Sequence, residues 1–275
     1  MLTLIEQTNY CNLQCQNCPN RLRQRPKGYM KPEMFKDIID QLLERNNEIV
    51  NERIALHGVG EPLLSPYLYK NLDYLQKKGF KNVDFSTNGL ILNKHIKKLV
   101  KYTCISWLRV SLNSTRKELM EKINTGSDFD KVVRNIKFLL DSVKYKRYPF
   151  EVVVQIMKTK ANEDETVDDA YRLFNRNDFR VIIKQLHTYH GQTELTELSF
   201  TDKIPNTCQF GATLDIHWDG DMVGCCADDT KSQVYGHISE GIYSLKVKGR
   251  KLQMNAELQS RNFNRLPFCK QCLGF

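Results

Sequence analysis

Eight of the nine cysteines fall into two groups near opposite ends of the chain, and this distribution limits the fold more than any other feature. Cys11, Cys15 and Cys18 share one short segment, while Cys208, Cys225, Cys226, Cys269 and Cys272 occupy the last quarter. An odd number at tight spacing, with no secretory pattern in MLTLIEQTNYCNLQC, points to metal or cluster ligation in a reducing, cytoplasmic setting rather than to disulfides. The fold must therefore gather each group of thiols around a point. Zinc is the usual partner of Cys-x2-Cys pairs, but no histidine lies within the first segment to complete a closed zinc site. Three thiolates on an iron–sulfur cubane instead leave one iron open to a small molecule.

Between the groups, strand-like runs alternate with segments of helical period. The runs lie at 3–7, 54–57, 83–86, 108–112, 152–157 and 181–186. Phe35, Ile38, Ile39, Leu42 and Leu43 follow Pro32 as one helix face; Leu68, Leu72 and Leu75 precede Gly79; Ile96, Leu99 and Val100 form a shorter stripe; Val132 to Val143 form another. Six βα units imply an α/β fold, a parallel sheet with right-handed crossovers closing into a partial barrel. Ligands then belong at the carboxyl ends of the strands. His57-Gly58-Val59-Gly60-Glu61-Pro62 follows the second run, Ser86-Thr87-Asn88-Gly89 the third, Ser111 and Asn113 the fourth, and Gln155 and Lys158 lie on the fifth. Ser, Thr and Asn also serve as turn and cap residues, so each carries a structural reading beside a ligand-binding one. No phosphate-cradling GxGxxG or GxxxxGK[ST] loop occurs.

The segment CNLQCQNC at 11–18 resembles the CxxxCxxC cluster motif of the radical S-adenosylmethionine (SAM) superfamily, with Asn17 where an aromatic residue is usual. The Gly58–Pro62 stretch is similar to that superfamily's Gly-Gly-Glu-Pro motif, with Val59 inserted between the glycines. The resemblance implies a partial (β/α)6 TIM-like barrel and a 4Fe-4S cluster on Cys11, Cys15 and Cys18 that binds and reductively cleaves SAM. Gly58, Gly60 and Glu61 would meet the methionine amino group; Ser86, Asn88, Ser111, Asn113, Gln155 and Lys158 would face the ribose and carboxylate.

Residues 191–207 read as a polar linker between a barrel over 1–190 and a small domain over 208–275. There, 213–218 and 222–226 read as a hairpin around Asp219-Gly220, and 241–258 as a helix. The pattern Cys208-x11-Gly220-x4-Cys225, followed by Cys269-x2-Cys272, resembles the twitch or SPASM-type domain. It implies a single auxiliary 4Fe-4S cluster on Cys208, Cys225, Cys269 and Cys272. Strand alternation would point Cys226 away from Cys225, either as a packed thiol or as a hydrogen-atom donor. Cys104 reads as a buried apolar thiol.

The resemblance implies hydrogen abstraction by a 5'-deoxyadenosyl radical. The first expectation is oxidation of a small sugar- or aminocyclitol-like alcohol in natural product biosynthesis. The auxiliary cluster would accept an electron, and Lys184, His187 or His190 would act as base. The second is peptide epimerisation or crosslinking, with Cys226 as the donor. The third is a non-catalytic iron–sulfur electron carrier. A flavodoxin- or ferredoxin-type protein would supply electrons. The net charge is +9, from 41 basic and 32 acidic side chains, but the lysine runs fit polar helix faces and no aromatic-interleaved nucleic-acid motif accompanies them. No apolar run approaches the roughly 18 residues of a membrane span.

Overall fold

The computed structural model describes residues 2–22, 25–144, 150–185 and 213–272, without the side chains of residues 265, 271 and 272. Six strands stand side by side in chain order and run parallel: β1 (Leu2–Ile5), β2 (Arg53–Ala55), β3 (Val83–Thr87), β4 (Ile105–Asn113), β5 (Glu151–Lys158) and β6 (Arg180–Gln185). The crossovers carry α1 (Pro32–Arg45), α2 (Leu68–Lys77), α3 (Ile96–Leu99), α4 (Lys117–Ile123), α5 (Phe129–Lys144) and α6 (Val167–Phe174). This is the expected α/β architecture of a partial barrel.

The helices form where their apolar stripes predict. Pro32 opens α1, and Phe35, Ile38, Ile39 and Leu42 bury its inner face completely. Gly79, at φ +84°, ends α2 after Lys78, and the Phe80 N–H returns to the Leu75 carbonyl. These faces pack on Ile5, Ile54, Leu56, Phe85, Val110 and Val154 in one core between sheet and helices. Strand alternation then sends the intervening residues into the barrel lumen: Glu6, His57, Asp84, Ser86, Arg109, Ser111, Gln155 and Lys184. Polar chemistry is thus confined to the face that the helices do not cover.

The C-terminal strands extend the same sheet. Strand β7 (Leu214–Ile216) runs parallel beside β1, with Thr3 level with Leu214; β8 (Asp221–Val223) and β9 (Val234–His237) follow antiparallel. Gly220 turns the β7–β8 hairpin at φ +93°, and a Cβ there would lie 2.6 Å from His237 Nε2. The hairpin strands are shorter than expected, and β8 ends at Val223, before the cysteine pair. Helices α7 (Leu245–Gln259) and α8 (Pro267–Cys272) complete the described chain. Among the described residues, no helix is long and apolar enough to cross a membrane.

Candidate active site

Cys11, Cys15 and Cys18 are partly buried free thiols on the loop leaving β1. The loop is pinned to the segment after α4 by Gln14 N–H to the Thr125 carbonyl and Gln16 N–H to the Ile123 carbonyl, both at 3.0 Å. The Leu13 N–H donates to Cys11 Sγ at 3.5 Å and Asn88 Nδ2 approaches it at 3.9 Å, while Cys15 Sγ lies 3.8 Å from Asn124 Oδ1. Burial pushes all three thiols up, Cys18 to about 12, and the charges of neighbouring cysteines add to the effect on Cys15. Three thiolates therefore need a strongly positive centre among them, which a metal cluster supplies. Among the described residues, no three His, Cys, Asp or Glu side chains converge on a single metal ion. A cubane takes one thiolate on each of three corner irons, so its ligands stand wider apart than those of a mononuclear site. The donor chemistry of the loop fits such a cluster.

Asn124, which the sequence reading did not single out, organises the polar residues beside Cys15. Its Oδ1 accepts from Asn113 Nδ2 at 2.7 Å and its Nδ2 donates to the Ser111 carbonyl at 3.1 Å; Gln155 Nε2 reaches Asn113 Oδ1 at 3.4 Å. Ser111, Asn113 and Gln155 thus converge near the cysteine loop. Ser86 lies deeper in the lumen and accepts from Arg109 Nε at 2.8 Å. Lys158 closes β5.

The Gly58–Glu61 turn is shaped by the chain behind it. A Cβ on Gly58 would meet Glu6 Cγ at 2.7 Å, and one on Gly60 would meet the Thr8 carbonyl oxygen at 2.2 Å. These glycines let the turn lie against the end of β1. Glu61, 1% exposed, accepts from the Asn88 N–H at 2.7 Å and the Leu63 N–H at 3.1 Å, and burial raises its carboxyl to about 7. It joins the turns after β2 and β3 and caps the short helix at Pro62–Leu64.

Glu6 is a second centre that sequence reasoning missed. Its carboxylate accepts both arms of the Arg25 fork, at 2.9 and 3.0 Å, together with the N–H groups of Val59 and Trp218. Arg25 Nε also donates to Asp229 Oδ1 at 2.7 Å, and all three side chains are buried. Burial raises the Glu6 carboxyl, but the His217 charge and the Arg25 fork outweigh it and leave a net lowering. One ionic knot therefore joins β1, the turn after β2, the segment following the cysteines and the C-terminal strands.

Lys184 stands on β6 level with Met157. Burial and then the charges of Arg109 and Arg53 lower its ammonium pKa, and Cys226 opposes them. Cys226 therefore lies near the lumen lysine. Cys225 and Cys226 sit in a turn past β8, where the adjacent Cys226 thiol, and then burial, raise the Cys225 pKa. The expected alternation does not apply, because the strand has already ended. Cys225 packs with Ala227 and Phe268, and Gln233 Nε2 lies 2.7 Å from Cys269 Sγ, so α8 brings Cys269 toward the Cys225 turn. His187, His190 and Cys208 lie outside the described residues, as does the side chain of Cys272. Cys104 is buried in the core as expected.

The family model of the radical SAM superfamily matches residues 5–190, which span the cysteine loop and the parallel strands from the end of β1 through β6. The chain belongs to the radical SAM superfamily. Membership implies a 4Fe-4S cluster and SAM, and Cys11, Cys15 and Cys18 have the donor chemistry to hold that cluster. An uncharacterised protein of Methanocaldococcus jannaschii, MJ0804, is 30% identical over 193 residues, 70% of this chain and 59% of that protein. A probable GTP 3',8-cyclase of Methanococcus maripaludis is 29% identical over 165 residues, 60% of this chain and 53% of the cyclase. The chain thus spans little more than half the length of these curated relatives. Among solved radical SAM folds, BtrN in complex with AdoMet and 2-DOIA matches with a TM-score of 0.64 at 17% identity, over 98% of this chain and 91% of BtrN. SuiB of Streptococcus suis, bound to precursor peptide SuiA, matches with a TM-score of 0.66 at 16% identity, over 90% of this chain and 65% of SuiB.

Proposed function

We propose that this radical SAM enzyme removes two hydrogens from a small alcohol of the sugar or aminocyclitol type. The observation that carries this reading is the placement of Lys184, a lumen amine on β6, beside the turn of Cys225 and Cys226. Cys11, Cys15 and Cys18 would hold the cluster that, with SAM, would supply hydrogen-atom abstraction, and Cys208, Cys225, Cys269 and Cys272 would hold an auxiliary cluster that would supply a one-electron acceptor. The chain's own part is to hold the alcohol, exclude water and remove the remaining hydroxyl proton. Lys184 Nζ takes that proton, and burial together with the charges of Arg109 and Arg53, which lower its ammonium pKa, favours the neutral amine. A flavodoxin- or ferredoxin-type protein delivers the reducing electron. The likeness to BtrN along nearly the whole chain supports a small substrate.

A second reading, peptide epimerisation, is favoured by the thiol of Cys226 near the lumen and by the likeness to SuiB. Incubation of the reduced, cluster-loaded protein with SAM in deuterated water, in parallel with candidate alcohols and with candidate peptides, separates the two. Formation of 5'-deoxyadenosine with loss of two hydrogens from the alcohol supports oxidation. A peptide product with carbon-bound deuterium that depends on Cys226 replaces that reading with epimerisation. Absence of 5'-deoxyadenosine under reduction rejects both.

A further inference from the structure

We propose that Arg25 is a positioning residue for SAM, and that through Asp229 the C-terminal strands set how well the Gly58–Glu61 turn receives the SAM ammonium group. This role needs only the cluster and SAM, so it stands apart from the oxidation reading above.

Val59, between the two glycines of that turn, is held by its backbone from both sides. Its N–H donates to Glu6 Oε1 at 3.4 Å, and its carbonyl accepts from Asn20 Nδ2 at 2.9 Å while lying 3.8 Å from Cys18 Sγ. The turn therefore follows Glu6 on one side and the segment after Cys18 on the other.

Glu6 is in turn fixed by Arg25, and Arg25 by Asp229. Nη1 and Nη2 grip both carboxylate oxygens of Glu6, at 3.0 and 2.9 Å, which leaves Nε for Asp229 Oδ1 at 2.7 Å. Because the guanidinium is planar, tilting it away from Asp229 also spoils its grip on Glu6. Asp229 is set by the cysteine turn: the Asp228 N–H donates to the Cys225 carbonyl and the Asp229 N–H to the Ala227 carbonyl, each at 3.0 Å. A chain of hydrogen bonds thus runs from the Cys225 turn through Asp229, Arg25 and Glu6 to Val59, and all of these residues are buried.

Stability alone does not account for such a chain. Taking two carboxylates and a guanidinium out of water costs about as much as their pairing returns, and packed apolar side chains would serve the core as well. What the fork adds is direction. Charge from this knot also reaches the first cysteine group. Lys27 Nζ donates to the Asn9 carbonyl at 2.8 Å and to Asn20 Oδ1, and, beyond the effect of burial, the charges of Asp229 and Lys27 act on Cys18 in opposite senses.

Asp229→Asn and Arg25→Lys test this in the anaerobic, cluster-loaded protein. Asparagine keeps the shape of Asp229 without its charge; lysine keeps the charge of Arg25 without a fork that spans two carboxylates. Calorimetric titration with SAM reads affinity, and the change that SAM makes in the electron paramagnetic resonance spectrum of the reduced cluster reads placement. Val247→Ala, which opens a cavity where α7 packs on β9, controls for lost stability. Both knot variants are expected to keep their iron, to bind SAM about fivefold or more weakly than wild type and to alter the spectral change, while Val247→Ala binds SAM as wild type does. Wild-type affinity and spectrum in an iron-loaded knot variant overturn the positioning role, as does an equal loss in Val247→Ala. Should Arg25→Lys fail to load its cluster, the isosteric Asp229→Asn decides. No substrate is present, so failure of the alcohol reading leaves these results unaffected.

Discussion

At the scale of single residues, Glu61 shows how burial turns a motif residue into a pH-dependent structural part. Both of its oxygens face backbone N–H groups, yet the absence of water raises its pKa from 4.5 to about 7. Between those two values the folded protein holds a proton that the unfolded chain has released, so stability falls as pH rises through this window and levels off above it. The contribution is of order 3 kcal/mol for a fully buried group. In urea unfolding of the metal-free protein, the wild type is expected to lose more stability between pH 5 and pH 8 than Glu61→Gln; parallel losses would contradict the assignment. The sequence pattern placed Glu61 at the end of β2, but not the direction of its carboxylate. That direction depends on Asn88, which arrives from the next strand.

At the scale of elements, the six parallel strands were legible because each crossover repeats the same alternation of periods two and 3.6. Strand β9 was not: its four residues include Gly236 and lack a sustained alternation. Helix α6 buries only Ala170 and Phe174, so its stripe is faint, although Asp169 accepts from the Thr166 N–H at its start. The Glu6–Arg25–Asp229 knot was illegible for a different reason. Its members resemble ordinary surface charges, and Arg25 and Asp229 are 204 positions apart. Such a knot is judged by what removing one partner leaves behind. Arg25→Met leaves two buried carboxylates uncompensated and is expected to cost about 3–5 kcal/mol, seen as a lower urea midpoint. It should also expose the segment between Cys18 and α1 to limited proteolysis, since that segment loses its tie to β1 and to the C-terminal strands. Unchanged stability would show that the charges are solvated rather than locked.

At the scale of the whole molecule, the sheet places two cysteine regions on one continuous framework. β1 delivers the Cys11 loop and pairs directly with β7, which leads through β8 to the Cys225 turn. Damage at one region need not unfold the other, because each thiol group hangs from a loop while the strands between them are held by core packing. This makes the proposed division of labour separable. Replacing Cys11, Cys15 and Cys18 by alanine should abolish 5'-deoxyadenosine formation and remove about four irons per chain, leaving the second cluster. Replacing Cys225 and Cys269 should remove a similar amount of iron yet leave substrate-free cleavage of SAM measurable, while oxidation of the alcohol stops because its second electron has no acceptor. Iron and sulfide assay of each variant, beside 5'-deoxyadenosine formation, reads out the division. Wild-type protein holding only about four irons, all lost with the first three cysteines, would leave the C-terminal thiols without a cluster and direct the second electron elsewhere.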